Sequence, residues 1–266
     1  MTDRSTPGPG ARTVDVWFDP ACPYTWLTSR WLREVTRVRP LAPRWHLMSL
    51  ALLNEGRDDD PEGDPDGYLL VPVRIATAVR QAHGQDALVR FHRALWAGSG
   101  RRWITDPATA LAAAGLPAAL AAAGTSTAHD AALRASHAEA LGLLGPRTGT
   151  PVVAVTDPAR PGRPPVAFSG PVLSRVPRGE EAGRLWDATL LLAGTPGFHE
   201  LKGTPASPDP DVGTGDGAGD GLLGTPNPGS WCRSRNARSP STAPVGVTAG
   251  HDVPSAEKRS RLPRLR

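Results

Sequence analysis

Residues 13–26 read TVDVWFDPACPYTW, and this stretch decides the fold. Val14, Val16 and Phe18 alternate along its first half, the period of a strand with one buried face, and Pro20 stops the run. From Cys22 the period changes. Trp26, Leu27, Trp31, Leu32, Val35 and Val38 recur at steps of three and four, which predicts an amphipathic helix to about Arg39. Pro23 stands just inside its start, where a missing N–H is harmless. Cys22 therefore occupies a strand-to-helix junction. N–H groups without partners at a helix start stabilise a thiolate, and cysteines so placed acidify from about 8.5 to between roughly 3.5 and 7.5. A cysteine that merely fills apolar space is the competing description, and the junction favours the nucleophile.

Outward from this stretch, Pro40 and Pro43 close the helix and Arg44–Leu50 reads as a second strand. Residues 51–145 are rich in Ala and Leu and broken at Gly84, Gly98, Gly100, Pro107, Gly115, Pro117 and Gly124, which predicts four or five short helices. Asp106-Pro107 and Thr125-Ser126 offer N-cap chemistry there. The strand pattern returns at Pro151–Thr156, and a turn over Asp157–Pro165 leads into Val166–Ser169, so the pair predicts a hairpin. Gly179–Ala193 reads as a last helix with Glu180 and Glu181 in its first turn, where the helix dipole favours acid. The order is β-α-β, a helical block, then β-β-α. Such an order builds an α/β protein with a small mixed sheet and helices on its faces.

Gly and Pro make up 58 of the 266 residues, about 22% against roughly 12% in average usage. Residues 203–266 hold 10 Gly and 9 Pro, so this stretch reads as a disordered tail behind one domain of ordinary size. Its GTGDGAGDG run, residues 213–221, reads as a linker, and Cys232 within it as an exposed thiol without a catalytic role. The net charge of +4 gives no reason to expect nucleic-acid binding. Only Lys202 and Lys258 are lysines, and only Ile75 and Ile104 isoleucines, a bias that GC-rich codons produce. Two cysteines, Cys22 and Cys232, make neither a disulfide framework nor a zinc spacing, and the histidines form no H-x-x-x-H pattern, so no metal is expected. With no apolar N-terminal core and no run of 18 apolar residues, the expected setting is the cytoplasm, away from membranes. Serine-hydrolase and Walker signatures are missing as well.

Residues 14–50 resemble the opening of DsbA-like thioredoxin-fold proteins. More narrowly, Phe18-Asp19-Pro20, Cys22-Pro23, Thr28-Ser29-Arg30-Trp31, Met48-Ser49-Leu50 and Leu53-Asn54-Glu55 are similar to the actinobacterial mycothiol-dependent nitroreductase family. So are Gln81-Ala82-His83-Gly84, Gly149-Thr150-Pro151, Gly170-Pro171-Val172-Leu173-Ser174 and Leu185-Trp186-Asp187-Ala188, in the same order, up to about Lys202. The resemblance implies a thioredoxin-like, DsbA-type mixed sheet formed by residues 13–50 and 146–202, with 51–145 as an inserted all-helical subdomain and 1–12 and 203–266 disordered. It further implies a cis-proline at Thr150-Pro151 facing the cysteine, with the backbone of Thr150 open to pair with a substrate.

The family normally carries C-P-x-C, whereas this chain has Cys22-Pro23-Tyr24-Thr25. Thr25 cannot resolve a mixed disulfide, so what remains is one-thiol chemistry in which a second small thiol resolves the adduct. The resemblance thus implies an oxidoreductase with mycothiol or another low-molecular-weight thiol as co-substrate and a small-molecule substrate. The alternatives are a transferase or isomerase of the kappa class, which lacks a dithiol, and a catalytically degenerate paralogue. Cys22 and Thr25 are the candidate catalytic pair. Thr25 either donates a hydrogen bond to the thiolate or is a helix-compatible replacement. Pro23, Tyr24, Asn54, Thr150 and Pro151 are the candidate substrate contacts. For Tyr24 the competing role is packing at the mouth of the site, and for Asn54 a turn or cap. Tyr68 is a weaker candidate, and His83 reads as a cap or packing residue before a catalytic one.

Overall fold

The alternating run becomes strand β1 (Arg12–Phe18), a central strand of a four-stranded sheet ordered β2-β1-β3-β4. The computed structural model describes residues 10–59, 61–97, 104–146, 148–203 and 210–212. Helix α1 (Pro23–Val35) leads from β1 to β2 (Leu41–Leu47), which pairs in parallel with β1 so that Val16 lies opposite Trp45. On the other side β3 (Val152–Thr156) runs antiparallel to β1, with Val16 opposite Val153, and β4 (Val166–Ser169) completes the hairpin. Helix α6 (Gly179–Ala193) follows. A parallel β-α-β unit joined edge to edge with a hairpin and a last helix is a thioredoxin-like sheet. Between its halves stand α2 (Leu50–Leu53), α3 (Leu70–Trp96), α4 (Pro107–Ala113), a 3-10 helix (Ala118–Thr125) and α5 (Asp130–Leu144), an all-helical block.

The strand period puts two apolar layers on the sheet. Val14, Val16, Val153 and Val155 face α1 and α6, where Trp31, Leu32, Val35, Ala182 and Trp186 close the layer. Trp31 is fully buried, its indole N–H donates to the carbonyl of Ala182 at 3.1 Å, and its ring lies 5.8 Å from that of Trp186. On the opposite face Trp17 and Leu47 pack with the helical block. There Trp96, at the end of α3, donates to the carbonyl of Pro20 at 3.0 Å, so the long helix is tied to the turn that carries Cys22.

Four sequence expectations change. The first helix ends at Val35, and the second strand begins at Leu41 instead of Arg44, with Pro43 inside it. An edge strand accommodates this proline: the N–H of Trp45, two residues on, bonds to Oε1 of Gln85 at 2.9 Å on the side away from β1, and Pro43 shares that parity. The block is not made only of short helices. Leu70–Trp96 spans 27 residues with a break at Gly84, whose φ of +79° is open to glycine, so two helices follow each other without a loop. Asp106 caps α4 by accepting from Thr109 N–H as expected, but Ser126 holds only a turn at Ala128, and α5 begins at Asp130. Finally, most of residues 203–266, Cys232 and the 213–221 run included, lies outside the described residues, yet Pro210–Val212 packs on the fold, with Val212 buried against Trp26.

Replacing Trp31 with Ala should lower the unfolding free energy by about 3–5 kcal/mol, because it opens a cavity between sheet, α1 and α6. Urea denaturation of the two proteins checks this.

Candidate active site

The turn that presents Cys22 is organised by Asp19, which is fully buried at the end of β1. One carboxylate oxygen accepts the N–H of Ala21 at 2.8 Å, and the other accepts the N–H of Leu50, the first residue of α2, also at 2.8 Å. Its backbone carbonyl accepts the N–H of Cys22 at 3.2 Å. Its own N–H donates to the hydroxyl of Thr150 at 3.3 Å. One residue thereby joins the sheet, the cysteine turn, the helical block and the loop before β3. Burial pushes the Asp19 carboxyl up to about 7, against the pull of its two N–H donors, and the charges of Glu62 and Asp64 push the same way as burial.

Cys22 stands at the N-cap of α1 with extended backbone angles and has no solvent exposure. Its carbonyl accepts the N–H of Trp26 at 3.1 Å, closing the first turn. Thr25, also fully buried, comes from that turn, and its hydroxyl lies 3.1 Å from the hydroxyl of Thr150. Thr150 is joined to Pro151 by a cis peptide bond. Thr150 accepts the N–H of Asp19 and keeps a second lone pair and its own hydrogen, so either hydroxyl can donate in the Thr25–Thr150 bond; where Thr150 donates, the hydroxyl hydrogen of Thr25 is left for another acceptor. Pro23 and Pro151 are buried and Tyr24 is half-buried.

Cys22, Pro23, Tyr24 and Thr25 thus share one stretch of chain, and the Thr25–Thr150 bond brings Thr150 and Pro151 to it. Asn54 ends α2, and its side-chain amide donates to Oε1 of the buried Glu62 at 3.2 Å. Tyr68 is exposed ahead of α3, and burial of part of its ring together with the charge of Asp106 raises its phenol. His83 is exposed beside the break at Gly84. Two residues of the neighbourhood go unmarked in the sequence reading. Asp19 was visible as part of the Phe18-Asp19-Pro20 motif, but nothing in the motif signals its burial. His92 is buried on α3 with its ring 5.4 Å from Trp26 and 4.7 Å from Phe18; burial lowers it to about 3, and among the described residues its Nε2 has no hydrogen-bond partner. Its only sequence signal is a polar residue on the apolar face of a helix. Among the described residues no group of three or more His, Cys, Asp or Glu side chains is placed to hold a metal ion, and no helix is long and apolar enough to cross a membrane.

The raised carboxyl has a pH consequence. An unfolded Asp releases its proton near 3.8 and Asp19 in the fold near 7, so between those values folding takes up a proton. This group's contribution favours the fold most at the acid end of that window and declines as pH rises to about 7. His92 slopes the other way, its contribution falling as pH drops from about 6.5 towards 3. Asp19→Asn should therefore reduce whatever decline in urea midpoint the native protein shows between pH 5 and 7.5, while leaving the His92 slope in place. Equal declines in the two proteins would contradict the assignment.

Three comparisons bear on this neighbourhood. A family model described as Rv2466c-like, mycothiol-dependent nitroreductase Rv2466c, matches residues 21–203. The uncharacterized protein Rv2286c of Mycobacterium tuberculosis is 31% identical over 210 residues, covering 74% of this chain and 83% of its own. Among solved structures, the probable DsbA oxidoreductase SCO1869 from Streptomyces coelicolor is 18% identical with a TM-score of 0.44, over 75% of this chain and 97% of its own. The cytosolic disulfide reductase DsbM from Pseudomonas aeruginosa is 22% identical with a TM-score of 0.41, over 68% and 99%. The span of the family match, which takes in Cys22, Thr25, Thr150 and Pro151, places the chain in the Rv2466c-like family, the family of the mycothiol-dependent nitroreductase Rv2466c.

Proposed function

We propose that the chain is a thiol oxidoreductase that works through Cys22 alone, with mycothiol or a similar small thiol as co-substrate. The observation that carries this reading is Cys22 at the start of α1, with Thr25 one turn on and hydrogen-bonded to Thr150. A thiolate at Cys22 attacks one sulfur of a disulfide-bonded substrate. The new bond forms at its Sγ, the old S–S bond breaks, and the leaving sulfur departs as a thiolate that takes a proton from solvent. A small thiol then attacks the mixed disulfide and regenerates Cys22, and in this step the small thiol's sulfur is oxidised. Thr25, accepting from Thr150, donates to the Cys22 sulfur; Pro23, Tyr24, Asn54, Thr150 and Pro151 contact substrate. In this reading residues 13–50 and 146–202 form the thiol-bearing core, 51–145 covers one side of it, and the working compartment is a reducing cytoplasm.

The family description supports the co-substrate, and with it a nitroreductase type of activity. Thr25 favours a second reading, a transferase or isomerase that uses one thiol without redox turnover. The two differ in their products: a stable thioether marks a transferase, net oxidation of the small thiol to a disulfide marks a reductase.

Cys22→Ser should abolish thiol-dependent turnover, and full retained activity would overturn the mechanism. Thr25→Val should move the pH profile of Cys22 alkylation upward, measured with Cys232→Ser in both proteins. Thr25→Cys should allow a disulfide between positions 22 and 25, detectable as a loss of two mass units under oxidising conditions.

A further inference from the structure

Val212 belongs to a stretch whose composition gives it little reason to fold, and it lies beyond residue 203, where the family match ends. Nevertheless it is 8% exposed. Asp211 N–H donates to the carbonyl of Ser174 at 2.8 Å, and Val212 N–H to that of Pro210 at 3.1 Å. The Ser174 segment is itself fastened to α1, since the hydroxyl of Thr28 donates to the carbonyl of Pro171 at 2.9 Å.

The carbonyl of Val212 receives two side-chain donors. The indole N–H of Trp26 reaches it at 3.1 Å and a guanidinium N–H of Arg30 at 3.3 Å, while the guanidinium carbon lies 5.7 Å from the centre of the Trp26 ring. Residues four apart on a helix share a face, so the pair is one surface. Its next member towards the N-terminus is Cys22, one turn and about 6 Å along the axis from Trp26. A neutral indole donor and a cationic fork that meet on a single oxygen suit any planar acyl oxygen, and suit a carboxylate better than an amide carbonyl.

We propose that Trp26 and Arg30 form a subsite beside Cys22 for an acyl oxygen of the cysteine-based thiol that reacts there, and that Pro210–Val212 occupies it as the chain's own competitor. The inference rests on Cys22 as the reacting group. Thiols built on cysteine carry a carbonyl or carboxylate oxygen a few bonds from sulfur, the reach that one turn of α1 requires. The strap holds the subsite through one carbonyl and one small apolar side chain, so a ligand that supplies a charged acceptor displaces it.

The test uses the full chain and S-methylglutathione, whose blocked sulfur cannot react with Cys22 and whose carboxylates and amides supply the acyl oxygens. The readout is the indole N–H resonance of Trp26 by nitrogen-15 NMR, identified by its loss in Trp26→Phe. Val212→Lys, which places a cation next to Arg30 and in an apolar seat, should release the strap; Val212→Gly should do so more mildly. In both, S-methylglutathione should shift the Trp26 resonance saturably, and Arg30→Met in the same background should remove the shift. A strap seated nine-tenths of the time makes the half-saturating concentration about tenfold higher in the native chain than in the released variants. No saturable shift in either Val212 variant, or a shift indifferent to Arg30→Met, overturns the proposal. Because the probe does not react, this outcome is independent of whether Cys22→Ser keeps or loses turnover.

Discussion

The site depends on the two N–H groups that the Asp19 carboxyl accepts. A strand that ends in a buried core leaves backbone donors with nowhere to turn, and a buried donor without a partner costs about 1–3 kcal/mol. Asp19 satisfies Ala21 in its own turn and Leu50 at the start of the helical block, and through its backbone it also holds Cys22 and Thr150. The cysteine turn and the helical block therefore cannot move apart without leaving buried polar groups unmatched. The cost of this arrangement is a carboxyl removed from water, visible in its raised proton affinity.

Cys22 then has a defined neighbourhood. The hydroxyl of Thr25 meets that of Thr150, and the Asp19 N–H occupies an acceptor site on Thr150. Above it, Trp26 packs between Trp96 and His92, so the helix that bears the thiol is braced by rings on the side of the block.

Period and punctuation made much of this legible. The alternation at Val14, Val16 and Phe18, the shift of period at Cys22, the hairpin and the helix at Gly179–Ala193 all stand in the structure close to where the sequence puts them, because each is a local pattern with a local stop. What stayed hidden depends on distant partners. Pro43 reads as a terminator unless one knows that its strand lies at an edge, and Gly84 reads as an end when it is a break between consecutive helices. Asp19 and His92 are polar letters whose burial is decided by chain far away, and Val212 sits in a composition that gives no hint of a seat on Trp26.

The outer border of β2 carries a consequence of its own. Polymerisation by strand addition needs a row of open backbone donors on an exposed sheet edge. Here Pro43 has no hydrogen to give and the neighbouring outward N–H, that of Trp45, is already taken by Gln85. A foreign strand approaching that border would find its central positions silent, so the sheet is closed to growth there by one imino acid and one amide side chain.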